Sequence, residues 1–246
     1  TIFSAFFGLA VGSFLNVCIY RIPKGTFFTE KHSYCPKCGQ PLKWYDMVPV
    51  FSWIFLGGKC RNCKEKISAR YPIVESLNAV LWTLSAYFIG LNANAFIYDA
   101  LFSALIVMTF IDIDTIEITN GIVVFIIILS IPLFFTAKDV VWWHRLVGAV
   151  VISVPLYVIA LVTGGIGGGD IKLYFALGLV LGLYPTLVSA FIAIVSAGLI
   201  GGVLLLTKKV RKGYELPLGP FIALGAVVTV FAGTPIIDGI KNLFGI

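Results

Sequence analysis

The sequence predicts an all-α polytopic membrane protein: about eight transmembrane helices, with one small polar insert after the first. Three observations carry this. The 246-residue chain is 59% apolar and only 12% charged, with a mean hydropathy of +0.99, whereas soluble domains hold about 25% charged residues. Its apolar residues gather into runs, most of them near the ~20 residues that cross a bilayer. The cations are segregated: ten of the 18 Lys and Arg fall within 21–70, against only Glu30, Asp46 and Glu65.

The first run, 1–20, lacks a basic start and a small-residue cleavage site and carries Ser4, Gly8 and Gly12 at helix-packing spacing, so it is expected to be a retained helix rather than a signal peptide. Residues 21–72 form the insert. From there the core, 73–246, offers runs at 73–91, 95–111, 121–137, 142–163, 171–183, 186–206 and 217–236. The thirteen residues of 171–183 are the weakest span, since at 1.5 Å per residue they cover about 20 Å of a hydrocarbon core about 30 Å thick. Charge settles their reading. Basic loops stay in the cytoplasm, and alternating through eight spans puts the insert, 112–120, 164–170 and 207–216 inside with both chain ends outside. The run Lys208-Lys209-Val210-Arg211-Lys212 falls on the expected side only if 171–183 crosses, while the other loops carry just Lys138, Arg145 and the tail residue Lys241. The glycine loop before the short span then makes up part of the depth, tolerated where it lines a water-filled cavity.

The insert contains Cys35-Pro36-Lys37-Cys38 and Cys60-Arg61-Asn62-Cys63, the two-pair spacing of a zinc ribbon. A cytoplasmic loop is reducing and disfavours disulfides, and about fifty residues cannot build a large core, so Cys35, Cys38, Cys60 and Cys63 are expected to hold a structural Zn²⁺ that supplies folding energy. Cys18 reads as core packing, and His32 as a surface residue rather than a substitute ligand. Pro41 to Trp53, with Trp44, Tyr45 and Phe51, fits a loop against lipid headgroups. Glu75 is expected to pair with Arg70 or a neighbouring loop, and Asn16 and Asn78 to bond between helices.

The chemistry sits in the acids. Asp170 closes Gly164-Gly165-Ile166-Gly167-Gly168-Gly169 where a glycine turn meets an apolar run, and Asp112-Ile113-Asp114-Thr115-Ile116-Glu117 ends another. Ionisable groups at membrane depth are costly and mark function. Two acids from separate membrane helices point to an aspartyl protease, and the charge count puts both on one face. If the helix carrying Asp112 continues, Asp112 and Asp114 face nearly opposite ways, because each residue turns about 100°.

Gly12-Ser13-Phe14-Leu15-Asn16-Val17 with Tyr20-Arg21-Ile22-Pro23, the cysteine quartet followed by Arg70-Tyr71-Pro72-Ile73-Val74-Glu75, Gly167-Gly168-Gly169-Asp170-Ile171-Lys172 and Pro217-Leu218-Gly219-Pro220-Phe221 together resemble the bacterial type IV prepilin peptidases over nearly the whole chain. The resemblance implies a bifunctional inner-membrane enzyme that cuts the leader from prepilins or pseudopilins at the cytoplasmic face and methylates the new N-terminus from S-adenosylmethionine. It maps the catalytic pair to Asp112 and Asp170. Members usually end the first motif in Leu-Pro-Asp, where this chain has Ile118-Thr119-Asn120; Thr119 or Asn120 is expected to cap the following helix instead. No residues for the methyl donor are indicated, and no nucleic-acid partner is expected. Intramembrane acids also suit an ion-coupled transporter or channel, and the insert suits a non-enzymatic assembly subunit of a secretion system; leader cleavage separates these from a peptidase.

Overall fold

Each of the eight apolar runs is occupied by a helix in the computed structural model, which describes residues 1–30, 32–137, 140–209 and 215–244. In chain order the helices are α1 (Ile2–Arg21), the short α2 (Phe51–Phe55), α3 (Arg70–Phe88), α4 (Ala93–Thr115), α5 (Asn120–Thr136), α6 (Trp142–Thr163), α7 (Gly168–Leu181), α8 (Leu183–Leu206) and α9 (Gly219–Phe244). Among the described residues, α1, α4, α6, α8 and α9 are long and apolar enough to cross a membrane. The basic residues Arg211 and Lys212, with Val210 between them and Lys209, lie outside the described residues, as does Lys138.

The boundaries move for physical reasons. Pro72 and Pro185 each stand third in a helix, within the first turn, where proline's missing N–H has no intrahelical partner to lose. Tyr184-Pro185 therefore does not end the short span; the break comes two residues before Tyr184, at Gly182, whose φ of +85° admits few other residues. At the far end α9 runs on past 236 because Asp238 and Lys241 interrupt the apolar run without interrupting the helix.

By contact the chain forms two compact units, Thr1–Val107 and Met108–Ile246. In the first, α1 packs along α3 with Gly8 and Gly12 at the crossing. A Cβ on either would stand 2.7 Å from the Cα of Ala79 or Glu75, so these positions tolerate only glycine, as expected of small residues at a membrane helix interface. That approach brings polar groups together: Asn78 Nδ2 donates to Gly8 O at 2.8 Å, Ser103 Oγ to Asn78 Oδ1 at 2.9 Å, and Asn16 Nδ2 to Tyr71 O at 3.2 Å. Glu75, buried, accepts from the Val50 N–H at 2.7 Å, tying the polar insert to α3. In the second unit α7 packs on α5 and α6, and α8 on α9. Arg145, read from the sequence as a loop charge, instead lies in the first turn of α6 and is fully buried.

Candidate active site

The helix α4 continues past Asp112 and Asp114, ending at Thr115. Asp112 is 4% exposed, while Asp114, two residues on and about 200° around the helix, faces outward with Glu117. The helix stops at Ile116, whose φ of +56° is rare for a β-branched residue. Such strain costs on the order of 1–3 kcal/mol and concentrates at functional sites.

Asp170 reaches the same place from the other motif. Gly164 ends α6 in the left-handed conformation, with φ +64°, and Gly167 starts α7, so Asp170 stands in the first turn of that helix, where the N-terminal dipole favours an acid. Gly169 presses against the loop of the first motif: a Cβ there would sit 2.8 Å from Ile118 Cβ. Asp112 and Asp170 lie within electrostatic reach of each other, and Lys172 Nζ donates to Asn120 Oδ1 at 3.0 Å, a second link between the motifs. The expected side-chain cap of α5 is not made. Thr119 occupies the N-cap position, but its carbonyl, not its hydroxyl, accepts from Ile122 N–H at 3.1 Å, and the side chain of Asn120, the first residue of α5, accepts from Lys172 instead.

A third element reaches Asp112. The Gly219 N–H, at the start of α9, donates to Asp112 Oδ2 at 2.8 Å, and a Cβ on Gly219 would stand 2.7 Å from that oxygen and 2.6 Å from Met108 Sδ. This holds one carboxylate oxygen in place while the other remains available.

The cysteine cluster belongs to the other unit. Each pair closes the same turn. Cys35 N–H donates to Gln40 O at 2.9 Å and Cys60 N–H to Glu65 O at 2.8 Å, and the residue after each second cysteine, Gly39 or Lys64, is left-handed. Bridges Tyr34 to Pro41 and Lys59 to Lys66 flank the two turns at equivalent positions. All four sulfurs lie within 4.8 Å of one another, with Cys35 Sγ and Cys63 Sγ 3.8 Å apart. A tetrahedral site with Zn–S of about 2.3 Å has edges of about 3.8 Å, so the donor set fits zinc. Backbone N–H groups of Cys63 and then Asn62 hold the Cys60 thiol down to about 7, which favours the thiolate a metal needs. The Glu65 N–H pulls on Cys63 too, but burial and the thiols of Cys60, Cys38 and Cys35 outweigh it and push Cys63 up to about 11. A dication among the four sulfurs would favour their thiolate forms. His32 is exposed and no part of this cluster.

Both regions of the chain match known protein families. Residues 6–89 match the bacterial peptidase A24 N-terminal domain, and residues 100–202 match the type IV leader peptidase family. A Bacillus subtilis (strain 168) protein named prepilin leader peptidase/N-methyltransferase is 34% identical over 234 residues, covering 94% of each chain. The chain belongs to this family of leader peptidases. Proteins of the same name from Neisseria gonorrhoeae, 34% identical over 90% of this chain and 86% of that one, and from Vibrio cholerae serotype O1, 32% identical over 91% and 93%, agree. No solved structure matches. For a leader peptidase, the part of the site that sequence spacing did not reveal is Gly219: the only trace of its contact with Asp112 is a glycine set among prolines in Pro217-Leu218-Gly219-Pro220, 107 residues away.

Proposed function

We propose that the chain is a membrane-embedded aspartyl peptidase that cleaves the leader of type IV prepilins or pseudopilins at the cytoplasmic membrane face, then methylates the exposed N-terminus. The observation that carries this is the convergence of Asp112 and Asp170, from the ends of α4 and α7, beside the Gly219 N–H. Two neighbouring carboxylates do not readily both ionise, so in this reading the pair holds one proton between them near neutral pH. The ionised member takes a proton from a water held between them as it attacks the scissile carbonyl. The protonated member stabilises the developing oxyanion and the leaving amine is then protonated. The dyad titrates as a unit. Readings as a transporter, channel or assembly subunit do not account for the relatives' enzymatic names.

S-adenosylmethionine is the methyl donor in this reading. A newly exposed α-amine, with a pKa of about 7.7–8.0, is partly neutral and nucleophilic at cytoplasmic pH, but no residue of this chain is assigned to the donor. Zn²⁺ on Cys35, Cys38, Cys60 and Cys63 closes the insert as a zinc-ribbon-like structural site, with all four positions taken by protein. Eight spans with the insert and both acidic motifs in the cytoplasm, in a bacterial inner membrane, complete the arrangement.

The test is mass spectrometry of a prepilin incubated with the purified protein in bilayer discs: leader loss and methyl addition leave separate mass changes. Asp112→Asn and Asp170→Asn should each stop leader loss while the protein remains folded, and an active Asp170→Asn protein would end the aspartyl mechanism. Cysteines introduced at Ile116 and Lys208 should resist impermeant label added to intact cells; ready labelling of either would overturn the topology.

A further inference from the structure

The helix that carries Asp170 is too short for its place, and its far end is held by an unusual group. With 14 residues α7 measures about 21 Å against a hydrocarbon core of about 30 Å, so if Asp170 lies near one face, the last carbonyls of α7 end within the membrane. Such groups cannot be left to lipid. Arg145 meets them: its Nη1 donates to Leu179 O at 3.1 Å and also to Val180 O, and its guanidinium, fully buried, lies 5.8 Å from the centre of the Phe134 ring. A cation there also complements the C-terminal dipole. One turn further along α6, Gly148 touches the same end of α7, for a Cβ on Gly178 would fall 2.2 Å from Gly148 O. Backbone contact and the two bonds from Nη1 together oppose both sliding and rotation of α7.

We propose that Arg145 is a positioning residue for the peptidase: by gripping the C-terminal carbonyls of α7 it fixes the axial place of that helix and so the place of Asp170 relative to Asp112. This rests on the reading of Asp170 as catalytic. Leu179 and Asp170 are nine residues apart, about 13.5 Å of rigid helix, so a shift at one end arrives at the other. Misplacement of a reacting group by about 1 Å costs on the order of 10²-fold in rate. A buried arginine that served only to fold the helix would give a different signature, lost yield with unchanged turnover per folded molecule.

Arg145→Lys and Arg145→Gln are compared with wild type and with Leu15→Ala, a cavity substitution in α1 chosen as a stability control, in the prepilin cleavage assay with folded protein quantified. Lysine keeps the charge but lacks the planar guanidinium and its reach. The expected result is kcat reduced about tenfold in Arg145→Lys and about 10²-fold in Arg145→Gln, with KM within about twofold, while Leu15→Ala at matched stability keeps its kcat. Unchanged kcat in Arg145→Lys, a change confined to KM, or an equal kcat loss in Leu15→Ala would overturn the proposal. If Arg145→Gln does not fold, Arg145→Lys decides alone. Asp170→Asn is assayed alongside: if it still cleaves, the catalytic reading has failed, and if it is inactive while Arg145→Lys turns over normally, only the role of Arg145 has failed.

Discussion

The cysteine knuckles and the aspartate pair are both assembled from two motifs far apart in the chain, yet they are held by opposite means. Each knuckle is closed by bonds between residues four or five apart, such as Gly39 N–H to Cys35 O and Cys60 N–H to Glu65 O; the spacing is itself the geometry. The aspartates have almost no local support. Asp112 is fixed by an N–H 107 residues away, and Asp170 by a helix whose other end is gripped from α6. In water a site can be built from local turns and completed by a metal. Inside a bilayer, where every backbone group must find a protein partner, packed helices can serve as the positioning device for a site they carry.

The contrast is broken most severely at the carboxylates. Asp112→Asn and Asp170→Asn keep size and polarity but remove the ionisable proton site, and each should lower cleavage by about 10²–10⁴-fold, the range of general acid–base contributions. Asp114→Asn should stay within about threefold, as expected of an exposed position. Equal loss in Asp114→Asn, measured as kcat/KM on a prepilin, would mean that the buried face of α4 does not define the site.

Gly219→Ala should come next. The methyl group would have to occupy space 2.7 Å from Asp112 Oδ2 and 2.6 Å from Met108 Sδ, displacing either the carboxylate or the start of α9. A loss of about 10²-fold in kcat is expected, the cost of about 1 Å of misplacement. Wild-type turnover would show that the Gly219 N–H is not needed to hold Asp112.

On the other side of the comparison, Cys60→Ser should reduce bound zinc below about half an equivalent, because a closed site loses a quarter of its ligands. Protein yield and resistance of the insert to proteolysis should fall with it, since metal binding is folding energy in so small a unit. Leader cleavage per folded molecule should change less than about tenfold, well short of the aspartate variants. Four titratable thiols and no zinc in wild-type protein would remove the metal from this account, while an effect on cleavage as large as that of Asp112→Asn would erase the separation of the two regions.

Legibility in the sequence follows the same division. The quartet could be read from C-x₂-C spacing, and the helices from apolar runs, because both are local patterns. Asn16 and Asn78 were readable as interhelical donors because an amide in an apolar run has few other uses. Arg145 was not readable: a lone arginine near a run's start looks like a loop charge, and only the carbonyls of Leu179 and Val180 reveal its place. The alternation of buried Asp112 and exposed Asp114 followed from helical geometry, whereas the Gly219 contact follows from tertiary approach, which no periodicity records.

The smallest expected effect lies where the chain departs from its family's usual first motif. Asn120 stands where an acid is common, and its Oδ1 accepts from Lys172 Nζ at 3.0 Å, linking the segment after Asp112 to the helix of Asp170. An amide oxygen makes that bond without charge, so the departure preserves the link and alters only its strength. Asn120→Asp would convert it into an ion pair at positions the structure leaves exposed. Exposed pairs contribute less than about 1 kcal/mol, and salt screens them because the Debye length falls from about 10 Å at 0.1 M to about 3 Å at 1 M. The expected outcome is a slight rise in thermal stability at low ionic strength that disappears in 1 M salt, with kcat within about twofold. A salt-independent gain would mean that the added group bonds elsewhere. A large loss of turnover would mean that a carboxylate here perturbs the nearby Asp112–Asp170 pair, making the neutral amide of Asn120 part of how this chain keeps its two proposed catalytic acids coupled only to each other.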